Sequence, residues 1–198
     1  GMCLTGGKDS LSMKVKNNDL EVKAPNTVVL SGYCLTSLTD FRVNCVLQKF
    51  NSTLIHIKLN DLDRIGGSIF EKYFPNLNDL NYNVPDFIEF DEFIELHKIV
   101  NHYIKVREIY SGHDISDGGL ITTLIEMSIS SGIGLEIEDL THNLGYLFSE
   151  ELGIVLEINN KIIYEFSNKL KKINVNFNIL GKTIDNNKIN ININNYSL

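Results

Sequence analysis

Ser111-Gly112-His113-Asp114-Ile115-Ser116-Asp117-Gly118-Gly119-Leu120 separates two amphipathic runs, and its reading decides how the chain is organised. Before it, over residues 91–110, Phe93, Leu96, Val100, Tyr103 and Ile104 recur at three- to four-residue spacing. That spacing predicts a long helix covering one face of a sheet. After it, Leu120, Ile121, Leu124, Ile125 and Ile129 keep the same period, so a second helix begins here, with Ser116 or Asp117 as its cap.

Strands flank the helices. Residues 53–59 alternate as Thr-Leu-Ile-His-Ile-Lys-Leu, and residues 134–138, 154–158 and 175–180 read as further strands. Helical runs are expected over 141–152 and 161–171. Gly66-Gly67-Ser68 leads into a short helix with Ile69, Phe70, Tyr73 and Phe74 on its apolar side, which Pro75 ends. Residues 76–90, rich in Asn, Asp and Pro, are expected to be irregular. This succession predicts an α/β layered domain rather than a helical bundle.

Towards the amino terminus, Leu11, Met13 and Val15 and then Val22 flank Asn17-Asn18-Asp19, a hairpin pattern. Residues 27–35 are rich in strand formers and predict a buried strand. The first forty residues hold too few elements to close a core, so they are expected to lean on another domain or chain, with a boundary between Asp40 and Asn51. In the tail, 186–198, isoleucine alternates with asparagine, predicting a final strand with fraying as the competing reading.

With 198 residues, 43% of them hydrophobic, the chain can bury a real core. A net charge of -7 gives no general attraction for nucleic acid or an anionic membrane, although a local basic pocket remains compatible with it. Cys3, Cys34 and Cys45 are widely spaced and read as reduced thiols rather than a zinc knuckle. The apolar stretches are too short to cross a bilayer, so no membrane partner and a cytoplasmic location are expected. Gly1-Met2 reads as an expression remnant and residues 4–13 as an interior loop, so a fragment of something larger is expected.

Three clusters carry candidate chemistry. In the first, glycines let backbone approach a ligand while Asp114, and Asp117 beside it, organise magnesium, which favours hard oxygens and bridges carboxylates to phosphates. Ser116 would donate to phosphate, and amides at the helix start would receive its charge. The competing reading is a plain turn and cap. The second, Gly6-Gly7-Lys8-Asp9-Ser10, offers an ammonium on flexible backbone, but it lacks the P-loop's first glycine and has Asp9 where Ser or Thr is required. The third, Gly66-Gly67-Ser68, opens a helix against an anion or simply caps it; Arg64 neutralises that anion or lies on the surface. His113 would orient Asp114 or pack structurally. His97 and His102 do not share a helix face, and no catalytic triad can be assembled. Glu150 and Glu151 are expected to meet solvent or a turn amide.

These clusters, taken in order, resemble the phosphoribosylformylglycinamidine synthase family, the formylglycinamide ribonucleotide amidotransferases. The resemblance runs through residues 7–13, Ala24-Pro25, the Val28-Val29-Leu30-Ser31 run, residues 64–68, residues 112–120 and Phe148-Ser149-Glu150-Glu151-Leu152-Gly153. It implies the second aminoimidazole ribonucleotide synthetase-like half of such an enzyme. Residues 1–40 would end an ATP-binding α/β domain, and residues 45–198 would form its mixed-sheet C-terminal domain.

The family uses ATP to activate the amide oxygen of its substrate as a phosphate ester, which glutamine-derived ammonia displaces. The resemblance therefore implies ATP or ADP with Mg2+. Asp114 would be a metal ligand, and Lys8, Asp9, Ser10, Gly66, Gly67, Ser68, Ser116, Gly118 and Gly119 would be nucleotide contacts. Its implied partners are the rest of such an amidotransferase or another copy, and a phosphorylated nucleotide substrate. Independent catalysis is not expected. The resemblance departs at Ile115, where the family often carries Arg. A structural or assembly domain, or a small-molecule kinase-like protein, are the alternatives.

Overall fold

The structure, a computed structural model, describes residues 3–8, 13–24, 28–35, 40–78, 80–86, 90–138, 144–193 and 196–197. It divides into two compact units, Gly1–Ser37 and Leu38–Leu198. In the first, Asn18 adopts the left-handed backbone (φ 52) that a tight turn demands. Strands β1 (Lys14–Asn17) and β2 (Leu20–Lys23) therefore pair antiparallel, the expected hairpin. The strand expected over 27–35 is not formed by its described part. Residues 28–35 find no strand partner among the described residues, and Val28, Leu30 and Leu35 are exposed at 79%, 81% and 104%, because strand propensity without a sheet neighbour leaves side chains in water.

In the second unit, β3 (Thr53–Lys58) is buried along its whole length because it lies between two other strands and under helices on both faces. Helix α1 (Ile69–Tyr73) follows, capped by Ser68, and of its expected apolar side only Phe70 is buried. Helix α2 (Phe90–Lys105) buries Leu96 and Tyr103. Periodicity carried this helix on to Tyr110, but it stops at Lys105. The Glu108 amide bonds the Tyr103 carbonyl and the Arg107 amide bonds the Ile104 carbonyl, the paired closure of a Schellman turn. Arg107 takes the left-handed position (φ 59) usually given to glycine, at a cost of about 1–2 kcal/mol.

The released chain then forms β4 (Ile109–Asp114), so the stretch 111–114 is a strand end rather than a helix approach. Helix α3 (Gly119–Ser131), β5 (Gly134–Ile137), helix α4 (Leu144–Phe148) and β6 (Gly153–Ile158) come next. Helix α4 is shorter than the run expected over 141–152, whose residues 141–143 lie outside the described ones. A 3-10 turn (Asn160–Ile162) leads into α5 (Ile163–Lys172), then β7 (Asn176–Ile184), β8 (Ile189–Ile193) and β9 (Tyr196–Ser197).

The sheet runs β4-β6-β3-β7-β5-β8-β9. Its pairs are antiparallel except β5 with β8, which makes the sheet mixed, as expected. Alternation along the strands sends neighbouring side chains to opposite faces. Leu54 and Val155 join Leu120, Leu124 and Met127 of α3 in one core, while Ile55, Ile57 and Leu156 join Leu96 of α2 and Phe166 of α5 in the other. Each fully buried aliphatic side chain contributes about 1.5–3 kcal/mol.

One carboxylate sits inside this framework. Glu157, fully buried, accepts from the Gln48 amide and the Ser111 hydroxyl on one oxygen, and from the Lys49 amide and the Ser52 hydroxyl on the other, at 2.7–2.9 Å. Four donors converge on it from segments far apart in sequence, so it fastens the entry into β3 against β4 and β6.

Candidate functional site

Three loops meet at the end of the sheet where β3 and β4 finish and β6 begins. The Leu59 amide bonds the Leu152 carbonyl (3.1 Å), and the Ile115 amide bonds the Gly153 carbonyl (2.9 Å). These bonds place residues 59–68, 114–119 and 149–153 side by side. A single side chain completes the junction. Glu150 Oε1 accepts from the Gly118 amide at 2.8 Å and from the Ile69 amide at 3.0 Å, joining the two glycine turns singled out in the sequence.

Beneath them lies a buried ionic cluster. Arg64 is 6% exposed rather than at the surface, and its Nε donates to Glu151 Oε1 at 2.6 Å while Nη2 reaches Oε2 at 3.0 Å. Nη1 also pairs with Asp86. Bonding to Glu151 and then to Asp86 raises the guanidinium's pKa beyond its ordinary value, and the Arg64 contact holds the Asp86 carboxyl below its own. Arg64 therefore spends its charge on protein carboxylates, and its fork geometry explains why arginine is used here.

A second buried group adjoins the end of β3. Lys58 Nζ donates to Asp63 at 2.6 Å and lies 5.3 Å from the Tyr146 ring centre. The Tyr146 hydroxyl meets His56 Nδ1 and accepts from Asn178, both at 3.1 Å. Burial pushes the Tyr146 hydroxyl up to about 12, with the Asn178 contact opposing and the Asp63 charge adding to it. Sequence reading finds no ligand spacing at His56 and passes over Lys58, Tyr146 and Asn178; for His56 and Lys58 the available signal was a polar residue at alternate positions of an otherwise apolar strand.

The amides of the glycine turns are already engaged. Those of Gly66, Gly67, Ser68 and Gly119 bond Asn83 O, Glu71 Oε2, Ile65 O and Ser116 O, in addition to the Gly118 contact with Glu150. Ser68 is buried and its hydroxyl accepts from the Glu71 amide. Protein acceptors thus hold the donors expected to form a phosphate cradle at Gly66, Gly67, Ser68, Gly118 and Gly119, and an anion there would have to displace them. The expected cap by Ser116 or Asp117 is corrected. Gly118 (φ 87) is the N-cap, without a side-chain bond. Gly119 has to be glycine, since its backbone is left-handed (φ 72) and a Cβ would stand 2.7 Å from the Phe148 carbonyl carbon.

What remains available to a ligand is Asp114, Ser116 and Asp117, all exposed. The Asp114 side chain is 75% exposed, with Oδ1 3.3 Å from His113 Nδ1; that nitrogen donates to the Asp114 carbonyl at 2.8 Å. Asp114 and His113 lie at the polar edge of a cavity of about 490 Å3 whose walls include Leu96, Val100, Ile104 and Leu156. Among the described residues no three carboxylate, histidine or cysteine side chains are grouped to hold a metal. Lys8 is exposed within the first unit, and Asp9 and Ser10 lie outside the described residues.

Residues 51–194 match the family model described as AIR synthase related protein, C-terminal domain, and the chain belongs to that family. Phosphoribosylformylglycinamidine synthase of Dictyostelium discoideum is 37% identical over 213 aligned residues, covering 94% of this chain and 15% of that protein. The chain thus spans about 15% of that relative's length. Among solved structures, Thermotoga maritima PurL complexed with FGAR superimposes with a TM-score of 0.60 at 11% identity, over 81% of this chain and 28% of that one. The same protein complexed with ATP gives 0.58 at 9%, over 81% and 26%. At those identities the structures establish the fold alone. No helix among the described residues is long and apolar enough to cross a membrane.

Proposed function

We propose that this domain serves an ATP-dependent, glutamine-using ligase of purine biosynthesis, the reaction that turns formylglycinamide ribonucleotide into its amidine. The observation that carries the reading is the Glu150 junction. It ties residues 66–69, 114–119 and 149–153, stretches that carry the family resemblance, to one another, and Asp114 at the start of the second lines the neighbouring cavity. Kinship with an enzyme named phosphoribosylformylglycinamidine synthase supports the chemistry, and PurL structures carrying ATP and FGAR support the ligand classes.

In this reading residues 1–40 end an ATP-binding domain and residues 45–198 form the C-terminal domain of the aminoimidazole ribonucleotide synthetase-like half. Lys8, Asp9 and Ser10 are nucleotide contacts, and Ser116 contacts phosphate. Asp114 would be the chain's carboxylate ligand to a magnesium ion, a role one carboxylate suits where substrate phosphates share the ion. When bound, that ion would neutralise transferred phosphoryl charge. The chain's own residues fix the loop: Glu150 sets the distance between turns, Gly119 lets α4 approach, and Arg64 with Glu151 supplies a rigid base. Catalysis by the domain alone is not part of the proposal, and its partners are the other domains of such an enzyme. A cytoplasmic location follows from the pathway.

Calorimetric titration of the 198-residue chain with Mg-ADP tests this. Binding that Asp114→Ala weakens by at least about tenfold, with an unchanged melting temperature, is the expected result. One observation favours a purely structural domain instead: protein acceptors already occupy the turn amides. Absence of binding, or binding indifferent to Asp114, would decide for that reading.

A further inference from the structure

We propose that a basic cavity at the start of β4 binds a small phosphate-bearing anion, independently of the loops around Asp114. The cavity, about 360 Å3, is lined by Arg42, Lys49 and Arg107 with one acid, Asp40, and by Tyr110. β4 runs from this cavity to the Asp114 loop, and its six residues separate the two by roughly 16 Å.

Three cations gathered on one cavity are unexpected in a chain of 18 basic and 25 acidic residues. Among the described residues none of the three forms an ion pair with a carboxylate. Their neighbours are aromatic: Lys49 Nζ lies 5.9 Å from the Tyr110 ring centre, and the Arg107 guanidinium lies 5.9 Å from that of Phe41. Aromatic faces hold such groups in place without neutralising them. Among the described residues the nearby Glu157 carboxylate forms no ion pair with these three groups; its two oxygens accept from four protein donors.

Arg107 supplies the second line of argument. It stands at the one position of the Schellman turn where glycine is favoured, with φ 59. Strained backbone held by a long cationic side chain points to use of that side chain. Favourable interaction with the end of α2 does not require it, since His102 and Lys105 already bring basic groups to the last turn from ordinary helical backbone. Two guanidinium groups and an ammonium supply three charges and many donors, which match the double charge and several oxygens of a phosphate better than the single charge and two oxygens of one carboxylate. A cavity of this size takes a compact phosphorylated metabolite.

The test is a calorimetric or NMR titration of the full chain with inorganic phosphate in low salt, with ribose 5-phosphate and succinate as comparison arms. Saturable phosphate binding is expected, ribose 5-phosphate at least as tight, and succinate weaker by about tenfold. Arg107→Gly should cost at least about tenfold in phosphate affinity while leaving the melting temperature equal or higher, because glycine accepts the left-handed position freely. Lys49→Met should lose affinity similarly. No saturation up to tens of millimolar phosphate, equal affinity for succinate, or unchanged affinity in R107G would each overturn the proposal.

Discussion

Glu150 Oε1 and the Gly118 amide, 2.8 Å apart, form the contact through which two glycine turns become one structure, since the same oxygen also holds the Ile69 amide. Phosphate from solution would have to compete with this tethered carboxylate for those donors. The surface left for a ligand is therefore made of side chains rather than amides.

Removing that carboxylate should free both turns at once. Glu150→Ala is expected to destabilise the domain by about 1–3 kcal/mol and to speed hydrogen exchange at Gly118 and Ile69 together. Glu150→Gln retains an acceptor and should fall between. Exchange that accelerates at one amide and not the other would show the turns to be held separately.

Glu157 makes the stronger stability prediction. Glu157→Ala leaves two part-buried amides and two buried hydroxyls without their acceptor, so a loss of about 3 kcal/mol is expected by denaturant unfolding. Ser111→Ala removes one donor and should cost about 1 kcal/mol. Equal costs for the two variants would refute the idea that the carboxylate is the hub.

Tyr146 sets an alkaline limit. Its hydroxyl titrates near 12 in the folded chain, against 10.0 for an ordinary tyrosine. The unfolded chain thus ionises first as pH rises. The stability tied to Tyr146 is fully present below pH 10, declines above it and is gone beyond pH 12, a swing of about 2–3 kcal/mol. Tyr146→Phe should flatten that limb of the unfolding free energy between pH 10 and pH 12, and parallel limbs in both proteins would contradict the assignment.

Local pattern was enough for the hairpin at Asn18, for β3 and for β6, where turn chemistry and alternation agree with tertiary packing. It failed at 106–110, because Val106 and Ile109 continue the helical spacing and the stop depends on Arg107 accepting a glycine conformation. It failed again at 28–35, where strand formers found no neighbouring strand. At the site, the exposed Asp114 and Ser116 were readable from turn chemistry. The occupants of the turn amides were not, since Glu150 lies 32 residues from Gly118 and 81 from Ile69. Glu157 was equally hidden: nothing in an Ile-Val-Leu-Glu-Ile run announces donors more than a hundred residues upstream.

The sheet order carries a kinetic consequence. β3 is made before both its neighbours, β6 and β7, which lie roughly a hundred residues later, so its ladder groups and apolar faces wait unprotected until those strands arrive. Long-range pairing of this kind slows folding and exposes the nascent chain to association with its copies. A chaperone that acts on this protein during translation would therefore find its natural target in Thr53–Lys58.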